Sequence, residues 1–262
     1  MLTIKITDKN GEVRAISQDS EYAQLLYRAA YEEGDAITIE STEGGVHLIL
    51  QMEDSMAQSL VYLAGKSYTL AMPFGEQRSS YSPKSFTGEM HFMFVRLANA
   101  WDIPTRRDLA FNPYDGHKNE TLFPHAIANV ETRGEAVFAA RNAIDGNIAN
   151  AGHGPWPYQS WGIQQREDAE FTVLFGREVE ANGVGVTIRC DFPHDNYWHT
   201  ATVVFSDGSS EVISLNKATA PQRFNIAPRK ITWAKLCCMK KDETDAAPFP
   251  ALTAFNVFGS DV

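Results

Sequence analysis

The fold is indicated most clearly by residues 200–215, which read TATVVFSDGSSEVISL. Two strand-like runs, 200–205 and 210–215, are separated by the residues Ser-Asp-Gly-Ser. Asp and Gly tolerate the backbone conformations of a tight turn, and two strand-like runs on either side of such a turn are typical of a β-hairpin. The sequence therefore predicts an antiparallel pair of strands at this point.

Similar runs recur along most of the chain. Many of them follow one another about 8–12 residues apart with turn residues between them, which is the pattern of an antiparallel sandwich. Residues 22–31 fit both a helical and a strand period, and we favour a strand because the neighbouring segments are strands. The predicted fold class is therefore all-β. The further predicted strands are residues 2–7, 36–40, 46–52, 59–63, 68–72, 91–97, 170–175, 183–189, 222–226, 231–237 and 252–258.

This pattern stops between residues 101 and 129. Residues 112–117, NPYDGH, have the composition of a turn. The segment contains little Ser or Gly but several aromatic residues, so we expect a structured connection that packs against its neighbours rather than a flexible linker. We predict two domains. Residues 1–110 form a smaller β-rich domain, and residues 111–262 comprise the connection and a second β domain.

An ordered series of short motifs lies between residues 125 and 262. The motifs are Ala143-Ile144-Asp145-Gly146-Asn147, Ser160-Trp161-Gly162, and residues 168–176, 184–189, 203–209 and 255–259. In this order they resemble the discoidin or coagulation-factor type C domain, a galactose-binding-like group that includes the family 32 carbohydrate-binding modules. The resemblance implies a C-terminal antiparallel jelly-roll sandwich with ligand-binding loops gathered at one end. Residues 1–110 show no such resemblance.

The family often holds a structural calcium ion at its Ala-x-Asp-Gly-Asn loop, with a carboxylate from the closing strand. The matching closing-strand positions here, near Ala254 and Asn256, carry no carboxylate. Calcium takes about six to eight oxygen ligands, and Asp145, Asn147 and backbone carbonyls supply only some of them. A calcium site at Asp145 and Asn147 is therefore kept as a hypothesis, and no other cofactor is expected.

The charge distribution argues against several classes of partner. Residues 1–110 contain 10 basic and 15 acidic residues, and residues 111–262 contain 13 and 18, so each part carries a net charge of −5. Neither part offers the clustered Lys and Arg that bind nucleic acid or an anionic membrane. We therefore expect no nucleic-acid partner and no membrane partner.

Cysteine usage and the first residues bear on the compartment. The three cysteines, Cys190, Cys237 and Cys238, fit neither a disulfide framework nor the spaced pairs of a zinc site. Residues 1–14 lack the basic and apolar regions of a signal peptide. A cytoplasmic location is the expectation from this sequence.

Polar and aromatic side chains concentrate in residues 124–161 and 189–199. Sugar hydroxyls need donors and acceptors in fixed positions, and the C–H face of a pyranose ring packs on aromatic rings. Residues 153–158, HGPWPY, are expected to form a rigid loop that displays two rings, although both rings could instead pack on the core. The predicted ligand-binding residues are His125, Arg141, His153, Trp156, Tyr158, Arg189, Asp191 and His194.

These patterns lead to a hypothesis of function with two alternatives. We predict a non-catalytic carbohydrate-binding protein whose ligand is a saccharide. The first alternative is a saccharide-acting enzyme with its site at the domain interface, although no nucleophile signature such as G-x-S-x-G is present. The second is a structural or partner-binding module, with a homo-oligomer as one form of it. A metal site formed by His125, His153, His194, His199, Asp191 and Asp195 is a further hypothesis, but their spacing matches no metal-binding motif.

Overall fold

The structure is a computed structural model that describes residues 1–190 and 192–262. Within those residues, regular structure consists of seventeen strands and four short 3₁₀ helices. The strands pair in an antiparallel sense throughout the three sheets. The predicted all-β fold is confirmed. Among the residues described, no helix has the length and apolar character needed to cross a membrane.

The N-terminal part forms two sheets that face each other across a core. One sheet has the strand order β2-β1-β4-β7, and the other contains β6-β5-β8-β3. Their inward side chains, including Ile4, Ile37 and Val95, are fully buried. The strands are β1 (Leu2–Thr7), β2 (Val13–Asp19), β3 (Tyr22–Tyr27), β4 (Ala36–Ser41), β5 (Val46–Gln51), β6 (Ser59–Leu63), β7 (Ser67–Ala71) and β8 (His91–Leu97), and a 3₁₀ helix spans Gly75–Ser80.

The C-terminal part is built on a third, larger sheet. Its main path runs β12-β17-β13-β16-β14-β15, while β11 pairs with β13 and β9 pairs with β17. The remaining 3₁₀ helices span Thr132–Gly134, Ala136–Phe138 and Ala140–Ala143. The strands of this sheet are β9 (Arg107–Asp108), β11 (His125–Ala128), β12 (Trp161–Gly162), β13 (Phe171–Arg189), β14 (Trp198–Phe205), β15 (Ser210–Ser214), β16 (Gln222–Lys241) and β17 (Ala251–Asp261). The remaining strand, β10 (Leu122–Phe123), belongs to the sheet that contains β6.

The segment predicted as a connection contributes to both parts. Strand β10 pairs with β6 of the N-terminal part, whereas β9 pairs with β17 of the C-terminal part. Tyr114 and Leu122 belong to the N-terminal core cluster, and Leu109 and Ala110 belong to the C-terminal one. The segment is therefore packed and structured, while the boundary between residues 110 and 111 stays a prediction.

Two pairs of predicted strands are in fact single long strands. The predictions for residues 170–175 and 183–189 both fall in β13, and those for 222–226 and 231–237 both fall in β16. Gly176 has a φ of +67°, but Val179 and Ala181 are fully buried and continue the strand. The pairing register between β13 and β16 shifts at this irregularity, so β13 bends but continues in the same direction.

A buried ionic cluster joins the two parts. The carboxylate of Asp261 in β17 accepts hydrogen bonds from Arg177 at 2.6 Å and from Arg107, and Nε2 of His47 in β5 lies 3.4 Å away. The guanidinium of Arg177 also lies over the ring of Tyr62, 5.2 Å from its centroid. Because His47 and Tyr62 belong to the N-terminal sheet, this cluster connects the two parts.

Glu53 is a buried acid in the N-terminal core. Its side chain is 1% exposed, and Oε2 finds no hydrogen-bond partner in the described part of the chain, although it lies 3.4 Å from Nδ1 of His91. Burial, together with the hydrogen bond and the charge of Asp54, raises the pKa of Glu53 to about 8. Burial also lowers the pKa of His91. Both side chains are therefore mainly neutral near pH 7.

We expect Glu53→Gln to stabilise the protein at alkaline pH. The carboxyl keeps its proton up to about pH 8 when folded but releases it near pH 4.5 when unfolded, so stability is lost as the pH rises between these values. A neutral Gln of similar shape removes that loss, with a gain on the order of 2 kcal/mol near pH 8. Urea unfolding across this pH range measures the effect, with the exposed Glu33→Gln as control. An unchanged pH slope in Glu53→Gln would contradict the prediction.

Candidate functional site

Three loops meet at one end of the large sheet. They are the loop before β12, the loop between β13 and β14, and the loop between β16 and β17. The strand ends lie together because Trp198 pairs with Lys241 and Arg189 pairs with Ala251. This end of the sheet therefore collects side chains from three separate stretches of sequence.

Four rings from these loops form a contiguous group, which we call the ring cluster: His153, Phe192, His194 and Phe249. The ring of His153 lies 4.6 Å from that of Phe192 and 4.7 Å from that of His194, between centroids. The ring of His194 lies 4.9 Å from Phe192 and 5.6 Å from Phe249. All four contacts are edge-to-face, an arrangement that aromatic quadrupoles favour.

The ring cluster lies at the surface. Phe249 is 40% exposed, His153 is also exposed, and Phe192 and His194 are half-buried. Burial, together with the charges of Arg189 and His194, lowers the pKa of His153. A neutral imidazole offers one hydrogen-bond donor and one acceptor. The cluster thus combines exposed apolar ring surface with polar ring atoms.

A buried ion pair belongs to the same loops. Nε of Arg189 donates to Oδ2 of Asp195 at 2.7 Å, and Nη1 of Arg189 donates to Oγ of Ser160 at 3.3 Å. The side chains of Arg189 and Asp195 are 4% and 0% exposed. Oδ1 of Asp195 is buried and accepts no hydrogen bond from the residues that the structure describes. A buried carboxylate oxygen is rarely left without a donor, so Oδ1 of Asp195 is a polar atom that the described residues leave unsatisfied.

The predicted loop at residues 153–158 displays two further rings. Trp156 and Tyr158 are 42% and 37% exposed. The backbone N–H of Trp156 donates to the carbonyl of Ser79 at 2.8 Å, which fixes this loop to the N-terminal part. The ring of Tyr158 packs against Gly152, where a Cβ would lie 3.0 Å from Cδ2 of the ring. In the described part of the chain, neither ring contacts the ring cluster.

The remaining predicted ligand-binding residues lie elsewhere. Nδ1 of His125 lies 2.7 Å from the buried carboxylate of Asp115. Arg141 donates to the backbone carbonyls of Asp115 and Pro113. His125 and Arg141 thus form a buried network around Asp115 and do not join His153, Arg189 and His194. Asp191 lies outside the described residues, and its assignment stays a prediction.

Three residues of this region were not among the predicted ligand-binding residues: Phe192, Asp195 and Phe249. The sequence holds a signal for Phe249, because the run Pro248-Phe249-Pro250 repeats the proline-flanked aromatic pattern around Trp156. Nothing local distinguishes Asp195 from the other loop carboxylates. Its role depends on Arg189, whose position relative to it is fixed by the sheet.

The loop of the calcium hypothesis is closed by hydrogen bonds within the protein. Asp145 accepts from the backbone N–H of Asn147 at 2.8 Å through Oδ1 and from Gln159 at 2.7 Å through Oδ2. Oδ1 of Asn147 accepts from the backbone N–H of Ala149 at 3.0 Å. Burial raises the pKa of Asp145, which disfavours its charged form. The oxygens of this loop are thus engaged in hydrogen bonds within the protein, and the calcium site stays a hypothesis. Over the described residues, no group of three or more His, Cys, Asp or Glu side chains could hold a metal.

No family model matches the chain, and no curated protein matches it in sequence. Solved structures do match part of the chain. Chitosan-binding module 1 from a chitosanase/glucanase of Paenibacillus sp. IK-5 is 15% identical, covers 59% of this chain and 100% of its own, and has a TM-score of 0.41. The family 32 carbohydrate-binding module of C. perfringens NanJ, solved with galactose, is 16% identical, covers 51% of this chain and 91% of its own, and has a TM-score of 0.39.

A third similar structure is the lectin domain of lectinolysin, solved with Lewis B antigen. It is 16% identical, covers 59% of this chain and 97% of its own, and has a TM-score of 0.44. These structures include a member of family 32, the group of modules that the sequence motifs resemble.

Proposed function

We propose that the ring cluster and the Arg189–Asp195 pair form a saccharide-binding site, and that the protein binds its ligand without transforming it. The observation that carries the proposal is the ring cluster, in which His153 and Phe249 are exposed, in the same loops as a buried carboxylate oxygen that has no donor among the described residues. A contiguous exposed apolar patch on a protein frequently marks a binding site. Aromatic rings suit the apolar C–H face of a sugar, and a carboxylate suits its hydroxyl groups.

The chemistry of each group suits this ligand. The apolar C–H face of a pyranose packs on ring surface, here offered by Phe249 and Phe192. Hydroxyl groups both donate and accept, which suits the imidazoles of His153 and His194. Asp195 accepts from a hydroxyl through Oδ1, while Arg189 holds the carboxylate in place. Asp191 is a further hydroxyl acceptor in this proposal, and Trp156 and Tyr158 extend the contact surface along their loop.

Calorimetric titration with a panel of neutral monosaccharides and disaccharides tests the proposal. Wild-type protein is expected to bind at least one of them at millimolar or lower concentration. Phe249→Ala removes an exposed ring of the ring cluster and is expected to weaken binding by at least about tenfold. Phe92→Ala is the matched control, because Phe92 is 36% exposed and lies on β8, far from these loops in the sequence. Absence of binding to the whole panel, or equal affinity in Phe249→Ala and wild type, would overturn the proposal.

A further inference from the structure

A cavity of about 700 Å³ lies between the N-terminal and C-terminal parts. It is bounded by β7, by the 3₁₀ helix Gly75–Ser80, and by residues from the 115–121 and 134–141 segments. This volume is in the range of small-molecule sites in proteins. The cavity shares no residue with the ring cluster, so a ligand here would occupy a second site.

Arg141 is the most unusual group in its lining. The residue is 7% exposed, and its guanidinium lies over the ring of Tyr81, 4.5 Å from the centroid. It donates to the carbonyls of Asp115 and Pro113 at 2.9 and 2.8 Å and to Oδ1 of Asn142 at 3.2 Å. All three acceptors are uncharged. Within the described residues, no carboxylate lies at ion-pair distance from this cation.

The carboxylates closest to Arg141 already have other donors. The side chain of Asp115 accepts from Asn119 and from the backbone N–H of Ala126, and it pairs with His125. Asp145 accepts from its own loop, as described above. A buried cation is normally paired with an anion, because its desolvation is otherwise uncompensated. Burial disfavours the charge of Arg141, but nearby acidic groups, Asp145 and Asp115 among them, outweigh it and raise the pKa of the guanidinium. Among the described residues, however, no carboxylate accepts a hydrogen bond from Arg141, so an anion in the cavity would be the first to do so.

The donors that remain on Arg141 indicate which anion fits. A guanidinium has five N–H groups, one on Nε and two on each Nη. Nε and one N–H of each Nη are used in the three hydrogen bonds, so each Nη keeps one N–H. Two N–H groups on one planar guanidinium match the two oxygens of a carboxylate. A doubly charged phosphate fits less well, because Glu76 and Glu120 also line the cavity.

We propose that this cavity binds a small carboxylate-bearing molecule of the size of a sugar acid, with its carboxylate on Arg141. The ring of Tyr81 holds the guanidinium from one face, and the exposed Lys118 adds positive charge at the lining, whereas His117 is paired with Glu131 at 2.6 Å. Because both parts of the chain contribute walls, the bound molecule also contacts both parts.

Titration of the full chain with D-galacturonate, D-glucuronate, acetate and inorganic phosphate tests the proposal, with D-galactose as the uncharged counterpart. At least one sugar acid is expected to bind about tenfold or more tightly than galactose, because a hydrogen-bonded charge pair replaces a neutral contact. Acetate is expected to compete with it, and phosphate is expected to compete less well. Failure of every carboxylate to bind at millimolar concentration, or equal binding of galacturonate and galactose, overturns the proposal.

Four variants locate the binding. Ala71→Trp fills the cavity from an exposed position at the end of β7 and is expected to abolish the preference for the acid, whereas the exposed Ala220→Trp is not. Arg141→Lys is expected to lower the preference by about tenfold, because Lys lacks the planar pair of donors. If Arg141→Lys does not fold, Ala71→Trp still tests whether the acid binds in this cavity. The preference must persist in Phe249→Ala, and its loss there would instead assign the acid to the ring cluster and overturn the proposal.

Discussion

Asp261→Ala is expected to lower the free energy of unfolding by about 3–5 kcal/mol, as is typical when one partner of a buried ion pair is removed. The side chain of Asp261 is 2% exposed, and it faces Arg107, Arg177 and His47. Its loss leaves Arg177 buried without its anion; burial already lowers the pKa of that guanidinium. The variant also removes the contact between His47 of the N-terminal sheet and the last strand.

The pH dependence gives the prediction a second readout. Burial by itself raises the pKa of Asp261, but hydrogen bonds from His47, Arg177 and Arg107 outweigh it, and the pKa lies well below its ordinary value of 3.8. An acid with a lowered folded pKa stabilises the protein above its unfolded pKa and loses that contribution as the pH falls. The difference between wild type and Asp261→Ala is therefore expected to shrink below about pH 3.8.

Chemical denaturation at neutral and acid pH measures both effects. The control is Asp168→Ala, since Asp168 is 71% exposed and pairs with Arg166 at the surface. An exposed pair of this kind contributes less than about 1 kcal/mol. Equal losses in Asp261→Ala and Asp168→Ala would show that the ionic cluster does not stabilise the fold.

The second large effect is expected at the candidate saccharide site. Asp195→Ala leaves the buried Arg189 with its weaker hydrogen bond to Ser160 at 3.3 Å and without the anion at 2.7 Å. We expect a loss of about 3–5 kcal/mol in the free energy of unfolding, because an uncompensated buried charge is strongly destabilising. Saccharide binding is expected to fall with it, since Asp195 supplies the proposed hydroxyl acceptor.

A double variant separates the charge effect from the loss of packing. Arg189→Met combined with Asp195→Ala removes both charges, so it is expected to be more stable than Asp195→Ala alone. Thermal and urea unfolding of the two single variants and the double variant form a complete cycle. If the loss of unfolding free energy in the double variant equals the sum of the two single losses, the ion-pair explanation is contradicted.

Local sequence patterns predicted many strands well. Strand β1 has the bounds expected from alternation of apolar and polar residues, and β6 and β8 have the bounds expected from apolar runs. The hairpin loop at residues 206–209 is also confirmed: Gly208 has a φ of +85°, and the backbone N–H of Ser209 donates to Asp207. These features depend on residues that are neighbours in the chain, so the sequence carries their signal directly.

Strand β2 shows where such patterns lose information. It was not predicted, and none of its residues is fully buried. An edge strand with no buried face does not need alternation, because no core selects apolar residues at every second position. Its pairing with β1 is instead set by the backbone hydrogen bonds of the sheet edge.

Individual residues of the candidate site could be predicted from the sequence, but which of them lie together could not. His153, Arg189 and His194 were expected in ligand contact and lie in one region, whereas His125 and Arg141 were expected with them and lie around Asp115 instead. Local composition indicates which residues have side chains suited to ligand recognition. It does not determine which loops a bent strand such as β13 brings together.

The sequence by itself determined the all-β class, most strand positions and the turn chemistry, because period-two burial and turn residues are local properties. Only the tertiary structure decided which charges and rings meet. His47 lies beside Asp261, and the ring of His194 contacts the rings of both His153 and Phe249. These residues are too far apart in the sequence for a local pattern to predict their contacts. Sheet register and strand curvature set these contacts, and both result from packing of the whole core.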